Sequence, residues 1–129
     1  ALILGTGGAS KAVVYVLKNL NIDFLFVSRK PKAENHISYN DLFNKKILSD
    51  YLIVINTTPL GMYPDSNTKP EIPYDQITEY HYLYDLIYNP DETLFLKEGK
   101  KRNATIKNGL EMLYLQAEKA WEIWNDNSI

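Results

Sequence analysis

The stretch "ALILGTGGAS", residues 1 to 10, constrains this chain more than any other, because a wholly apolar run meets three of the six glycines within four positions. Ala1 to Leu4 reads as a short strand buried on both faces. From there apolar residues recur at Ala9, Ala12, Val13, Val16, Leu17 and Leu20, which is the spacing of one helix face. A glycine-rich turn that ends a strand and opens a helix has two readings. Either it is an ordinary connection, or a phosphate comes up against backbone N–H groups there, at the positive end of the helix dipole. In the second reading Gly5 allows the tight turn, Gly7 and Gly8 keep side chains out of the approach, and Thr6 and Ala9 flank it. The last glycine of a G-x-G-x-x-G pattern would fall at Ser10. Small Ala9 and Ala12 are then expected to supply the close contact between helix and sheet.

The alternation continues along the chain. Phe24 to Val27, Tyr51 to Ile55 and Tyr82 to Tyr88 read as further strands, and Ala104 to Ile106 as a last short one. Residues 31 to 40 are polar and turn-rich, with a short helix expected around Asp41 to Asn44. Residues 64 to 80 carry several prolines and read as an irregular connection, with one helical turn near Tyr74 to Ile77. Thr93 to Lys101 reads as a helix capped by Thr93. Leu110, Leu113, Ala117, Ala120, Trp121 and Trp124 mark a closing helix over about 109–125, whose stripe is expected to face the core. Strands apolar on both faces, separated by helices, predict an α/β fold: a doubly wound, mostly parallel sheet with helices on both faces, as one domain over residues 1–129.

Composition removes several classes of partner. Among 129 residues, 14 Lys and Arg face 16 Asp and Glu, so no general basic field invites nucleic acid or an acidic membrane. No apolar stretch approaches the roughly 20 residues that cross a bilayer. Cysteine is absent, which excludes disulfides and thiolate chemistry. His36 and His81 lack a paired metal-ligand spacing, so no metal site is expected. The expected compartment is the cytoplasm. Ala1 enters a core strand with no lead-in, which predicts a piece of a longer chain.

Ligands of open parallel sheets bind beyond the carboxyl ends of the strands. The glycine turn sits at one such end, and so do "SRK", "NTTPLGM" and "YNP". A dinucleotide site with NAD usually carries Asp or Glu about 20 residues past the glycines, to bind the ribose 2′-hydroxyl. Here Ser28-Arg29-Lys30 stands instead, a small hydroxyl with two cations. A guanidinium fork and an ammonium suit a 2′-phosphate, hence NADP. The plainer alternative is a solvated basic loop.

With these residues in view, the chain resembles the C-terminal, NADP-binding, Rossmann-like domain of shikimate dehydrogenases. "GTGGASKAV" is similar to that family's G-x-G-G-A-x-x-A-V turn, and "SRK" stands where Asn-Arg-Thr is common. "NTTPLGM" (Asn56 to Met62), "YDLIYNPDET" (Tyr84 to Thr93) and "NGLEMLYLQA" (Asn108 to Ala117) match three further signatures in order. The resemblance implies hydride transfer between NADP and the C3 carbonyl of 3-dehydroshikimate. It implies that Gly5, Thr6, Gly7, Gly8 and Ala9 hold the pyrophosphate, and Ser28, Arg29 and Lys30 the adenosine phosphate. Thr57, Thr58 and Pro59 would line the cofactor trough, with Leu86, Gly109 and Met112 beside the nicotinamide. Tyr88 and Gln116 would reach the hydroxyls of the substrate, shikimate or 3-dehydroshikimate. Gly109, Met112 and Gln116 share one helix face by spacing alone.

Two departures bound the resemblance. Residues 30 to 50 look too short and polar for a full crossover helix, which predicts an open adenine side. The family's catalytic Lys and Asp lie in an N-terminal domain, and no residue here corresponds to them. Neither Asp85 nor Asp91 is assigned as a general acid, so the expectation is a cofactor half without an acid–base half. Other readings are a quinate/shikimate dehydrogenase using NAD or NADP, a non-catalytic nucleotide sensor, and an interaction module.

Overall fold

The computed structural model describes residues 1–127, the side chains at 116, 120 and 123–127 lying outside that description. Six strands form one sheet: β1 (Leu2–Leu4), β2 (Leu25–Ser28), β3 (His36–Ser38), β4 (Ile53–Asn56), β5 (Tyr82–Asp85) and β6 (Thr105–Lys107). Every pairing is parallel, in the order β3-β2-β1-β4-β5-β6. This is the Rossmann order, with its reversal point between β1 and β4. Three helices join strands, α1 (Gly8–Asn19), α2 (Tyr39–Asn44) and α3 (Leu94–Lys101), and a fourth, α4 (Leu110–Asn127), follows β6.

Alternation along each strand builds a core on both faces of the sheet. Leu2, Leu4, Val54 and Leu83 point to the side covered by α2 and α3, where they meet Leu42, Leu48, Ile72, Phe95 and Leu96. Ile3 and Ile55 point the other way, onto Val13 and Leu17 of α1. A strand with both faces buried needs apolar residues at every position, and for that reason the central strands read as continuous hydrophobic runs.

Three expectations are corrected. The polar stretch before residue 40 contains β3, which pairs with Phe26, Val27 and Ser28 along the open edge of the sheet. An edge strand half in solvent tolerates polar residues, so no apolar run marked it. The buried face of α1 is Ser10, Val13 and Leu17, while Ala9 and Ala12 are exposed. Ser10 takes the close-contact position because its hydroxyl is satisfied locally, donating to the Gly7 carbonyl at 2.6 Å. In α4 the apolar stripe does not enter this core: Leu113 is 39% and Trp121 65% exposed, and Ala117 is exposed too. The helix starts against Leu86, just past the end of β5, and its first turns border a groove beside Ile55 and Tyr84. Ala120 and Trp124, from the same expected stripe, lie outside the described side chains.

Candidate functional site

The carboxyl ends of β1, β2, β4 and β5 open along one edge, and loops of different lengths turn them into two adjoining grooves. At the end of β1, Gly5 adopts φ +100°, a conformation that side-chain-bearing residues rarely take. A Cβ there would also lie 2.9 Å from Thr57 Oγ1 and 3.0 Å from Thr58 Cγ2. Gly5 is therefore required twice, by its own turn and by the neighbouring loop. Gly7 and Gly8 differ, since a Cβ on either would meet nothing within 4 Å. The space before them is open, and the first N–H groups of α1 point into it.

The first groove, about 660 Å³, is lined by Gly5, Thr6, Val27, Ser28, Arg29, Lys30, Thr58 and Pro59. It also takes in Lys32, Tyr39, Leu60 and Glu71, which the sequence reading did not single out. Lys32 continues the "SRKPK" cation run and was legible there. Tyr39 was not, because it depends on where α2 begins. Ser38 caps that helix by accepting from Asp41 N–H at 3.1 Å, while the Asp41 carboxylate accepts from Ser38 N–H at 3.0 Å. Burial pushes the Tyr39 hydroxyl upward in pKa, and the Arg29 charge partly offsets this. Ser28 Oγ is buried and has no hydrogen-bond partner among the described residues. A buried hydroxyl without a partner costs about 1–3 kcal/mol, so a ligand atom there would relieve a standing penalty.

The second groove, about 460 Å³, is lined by Thr57, Thr58, Pro59, Met62, Tyr63, Leu86, Ile87, Tyr88 and Asn89. Thr58 and Pro59 border both grooves and divide them. The dividing loop is held from below. Thr57 Oγ1 donates to the Leu4 carbonyl at 2.6 Å, and Thr58 donates to Asn56 Oδ1 through its N–H at 3.0 Å and its hydroxyl at 2.6 Å. An Asn that accepts from the backbone two residues on forms an Asx-turn, a signal present in "NTTP". Opposite it, Tyr63 N–H donates to the Asn89 carbonyl at 3.0 Å and ties the two outer loops together.

Asn56 pairs in register with Asp85, and both are wholly buried. Asp85 Oδ1 accepts from Asn56 Nδ2 at 3.2 Å and from Ile87 N–H at 3.1 Å, and its Oδ2 accepts from Thr93 Oγ1 at 2.7 Å. Burial pushes this carboxyl up to about 6, against the pull of those three donors. Thr93 serves twice, since its oxygen also accepts from Leu96 N–H as the cap of α3.

The structure brings Thr57, Thr58, Pro59, Leu86 and Tyr88 to one groove, and Gly5, Thr6, Ser28, Arg29 and Lys30 to the other. Gly7, Gly8 and Ala9 lie exposed at the start of α1, just past Gly5 and Thr6 of the other groove. Met112 lines a third groove of about 360 Å³ on the α1 side of the sheet, with Val13, Leu17, Ile55, Leu86 and Leu115. Gly109 is buried behind Leu86, its N–H donating to the Ile87 carbonyl at 3.1 Å. Gln116 belongs to α4, and its side chain lies outside the described ones. No described helix is long and apolar enough to cross a membrane.

No family model matches the chain. It is 41% identical over 138 residues to a shikimate dehydrogenase (NADP+) of Methanosphaera stadtmanae, covering 95% of this chain and 49% of that protein. The crystal structure of a chorismate mutase/shikimate 5-dehydrogenase fusion protein from Clostridium acetobutylicum superimposes with a TM-score of 0.83 at 42% identity, over 97% of this chain and 46% of that one. A crystal structure of a shikimate dehydrogenase in complex with NADP+ gives a TM-score of 0.77 at 32% identity, covering 95% and 47%. The chain spans about half the length of the curated relatives it matches.

Proposed function

We propose, for a chain homologous over 95% of its length to NADP-linked shikimate dehydrogenases, that it forms the NADP-binding half of such an oxidoreductase. The observation that carries this reading is the first groove. An open glycine turn, an orphaned buried hydroxyl at Ser28 and the cations Arg29, Lys30 and Lys32 fit, in that order, a pyrophosphate, an adenosine ribose and its 2′-phosphate.

In this reading the N–H groups following Gly7 and the positive end of α1 bind the pyrophosphate. Arg29 offers two parallel donors to the 2′-phosphate, and Lys30 and Lys32 add charge that brings the cofactor in. Thr58 and Pro59 separate the adenosine from the nicotinamide, which lies in the second groove against Leu86 and Tyr88. The bound cofactor supplies the hydride that reduces the C3 carbonyl of 3-dehydroshikimate, or takes it back from shikimate. Tyr88, 44% exposed at the rim of the second groove, has its hydroxyl free to meet a substrate hydroxyl, and Gln116 is assigned the same task from α4. The proton that accompanies the hydride is not assigned to this chain. Asp85 is buried and fully engaged by donors, so it neither reaches nor serves a substrate. The acid–base groups belong to the part of the relatives that this chain does not match.

Calorimetry tests the reading. NADP+ is expected to bind at least tenfold more tightly than NAD+, and the chain alone is expected not to oxidise shikimate. Equal affinity for the two cofactors would remove the role given to the basic cluster. Measurable turnover by the chain alone would overturn the placing of proton transfer outside it.

A further inference from the structure

Asp85 occupies an unusual position for a carboxylate. It sits at the end of β5, wholly buried, with no ion pair to it among the described residues and three hydrogen-bond donors converging on its two oxygens. Each donor comes from a different piece of backbone. Asn56 ends β4, Ile87 lies in the loop after β5, and Thr93 opens α3. A carboxylate accepts several strong bonds at once and donates none, so one such group can fix the side chains and loop that the β4–β5 ladder brings near it.

The bonds lead directly into the second groove. Ile87 N–H on Asp85 Oδ1 fixes the peptide between Leu86 and Ile87, and Leu86, Ile87 and Tyr88 form one wall. Asn56, held by Asp85 through Nδ2, uses its own Oδ1 to hold the N–H and hydroxyl of Thr58, which stands on the opposite wall. Both walls of the groove are thus referred to one buried side chain. An alternative purely local role, capping α3, would need only the Thr93 bond. The bonds to Ile87 and Asn56 add nothing to that helix.

We infer that Asp85 is a positioning residue, which sets the spacing of the two walls between which the nicotinamide half of the cofactor lies. This rests on the NADP reading above. It predicts that disturbing Asp85 weakens binding of the nicotinamide half while leaving the adenosine half, held at Ser28 to Lys32, as it was.

The test compares NADP+ with adenosine 2′,5′-bisphosphate, which occupies only the first groove, by calorimetry on the full chain. Asp85→Ala is expected to lower NADP+ affinity about tenfold and to leave the bisphosphate within twofold of the parent. Asp85→Asn keeps an oxygen for Ile87 N–H and Asn56, and is expected to restore NADP+ affinity to within threefold. Should Asp85→Ala not fold, Asn56→Ser cuts the link from Asp85 to Thr58 while leaving α3 its cap, and is expected to show the same split between the two ligands in milder form. Equal losses for both ligands, or no loss for either, would overturn the inference, as would failure of Asp85→Asn to restore binding. A parent that binds neither ligand would instead sink the NADP reading itself.

Discussion

Gly109 lies so close to Leu86 that a Cβ on it would sit 2.6 Å from the Leu86 carbonyl carbon. The two residues belong to different elements, the start of α4 and the loop after β5, and the Gly109 N–H on the Ile87 carbonyl holds them in register. The contact is backbone on backbone, so no side-chain rotation relieves it. Gly109→Ala must push α4 away from the sheet edge, and overpacking of this kind costs about 1–3 kcal/mol. A urea midpoint within error of the parent would show that α4 is not seated where it is described.

Gly7 has extended backbone, φ −75° and ψ −170°, and nothing within 4 Å of a Cβ. Its glycine is therefore not demanded by the fold. Gly7→Val is expected to fold, with NADP+ affinity lost by well over tenfold, because the added branches would occupy the space that the proposed reading gives to the pyrophosphate. Circular dichroism and calorimetry check the two halves of this statement. Undiminished binding in a folded variant would make the turn merely a connection.

Arg29 is exposed beside the first groove, where a charged hydrogen bond contributes about 1.5–3 kcal/mol. That corresponds to roughly 10- to 150-fold in affinity. Arg29→Ala is expected to weaken NADP+ at least tenfold and leave NAD+ nearly unchanged, with a smaller effect for Lys30→Ala. Added salt should narrow the preference of the parent. Equal losses for both cofactors would mean that Arg29 meets the adenine rather than the phosphate.

Two carboxyls give stability opposite slopes with pH. Arg102 foremost, then Lys69 and Lys101, hold Glu98 down at about 2 against its usual 4.5, so its contribution is present above 4.5 and is lost as pH falls toward 2. Asp85 is raised from 3.8 to about 6, so its contribution is complete below 3.8 and is lost as pH rises through 6. The urea midpoint of the parent over that of Glu98→Gln should shrink between pH 5 and pH 2. Its margin over Asp85→Asn should instead widen as pH falls from 7 to 4. Gaps that do not change with pH would refute both assignments.

The central strands and the glycine turn were legible because their cause is local. A strand buried on both faces has no position for a polar residue, and a tight turn into a helix selects small ones. β3 was hidden by its place at the edge, where one side of the ladder is enough to hold His36 to Ser38. On α1, Val13 and Leu17 are buried as the spacing predicts, but Ser10 takes the place expected of Ala9, since a serine that satisfies itself on Gly7 can occupy a core position and alanine fits either environment. The stripe on α4 told of an apolar face without saying what meets it. Asp85 was visible only as an acid in a strand. Two of its three partners lie 29 and 8 residues away along the chain, and nothing short of the fold brings them to it.

Strand order also governs how a protein of this kind can diverge. In the proposed reading, the residues that choose the cofactor end β2, on one side of β1, and those that face the reacting ring end β4 and β5, on the other. The first strand stands between them as a fixed partition. In that reading, Ser28 to Lys30 could give way to an acidic loop without touching Leu86, Ile87 or Tyr88, because only Thr58 and Pro59 belong to both grooves.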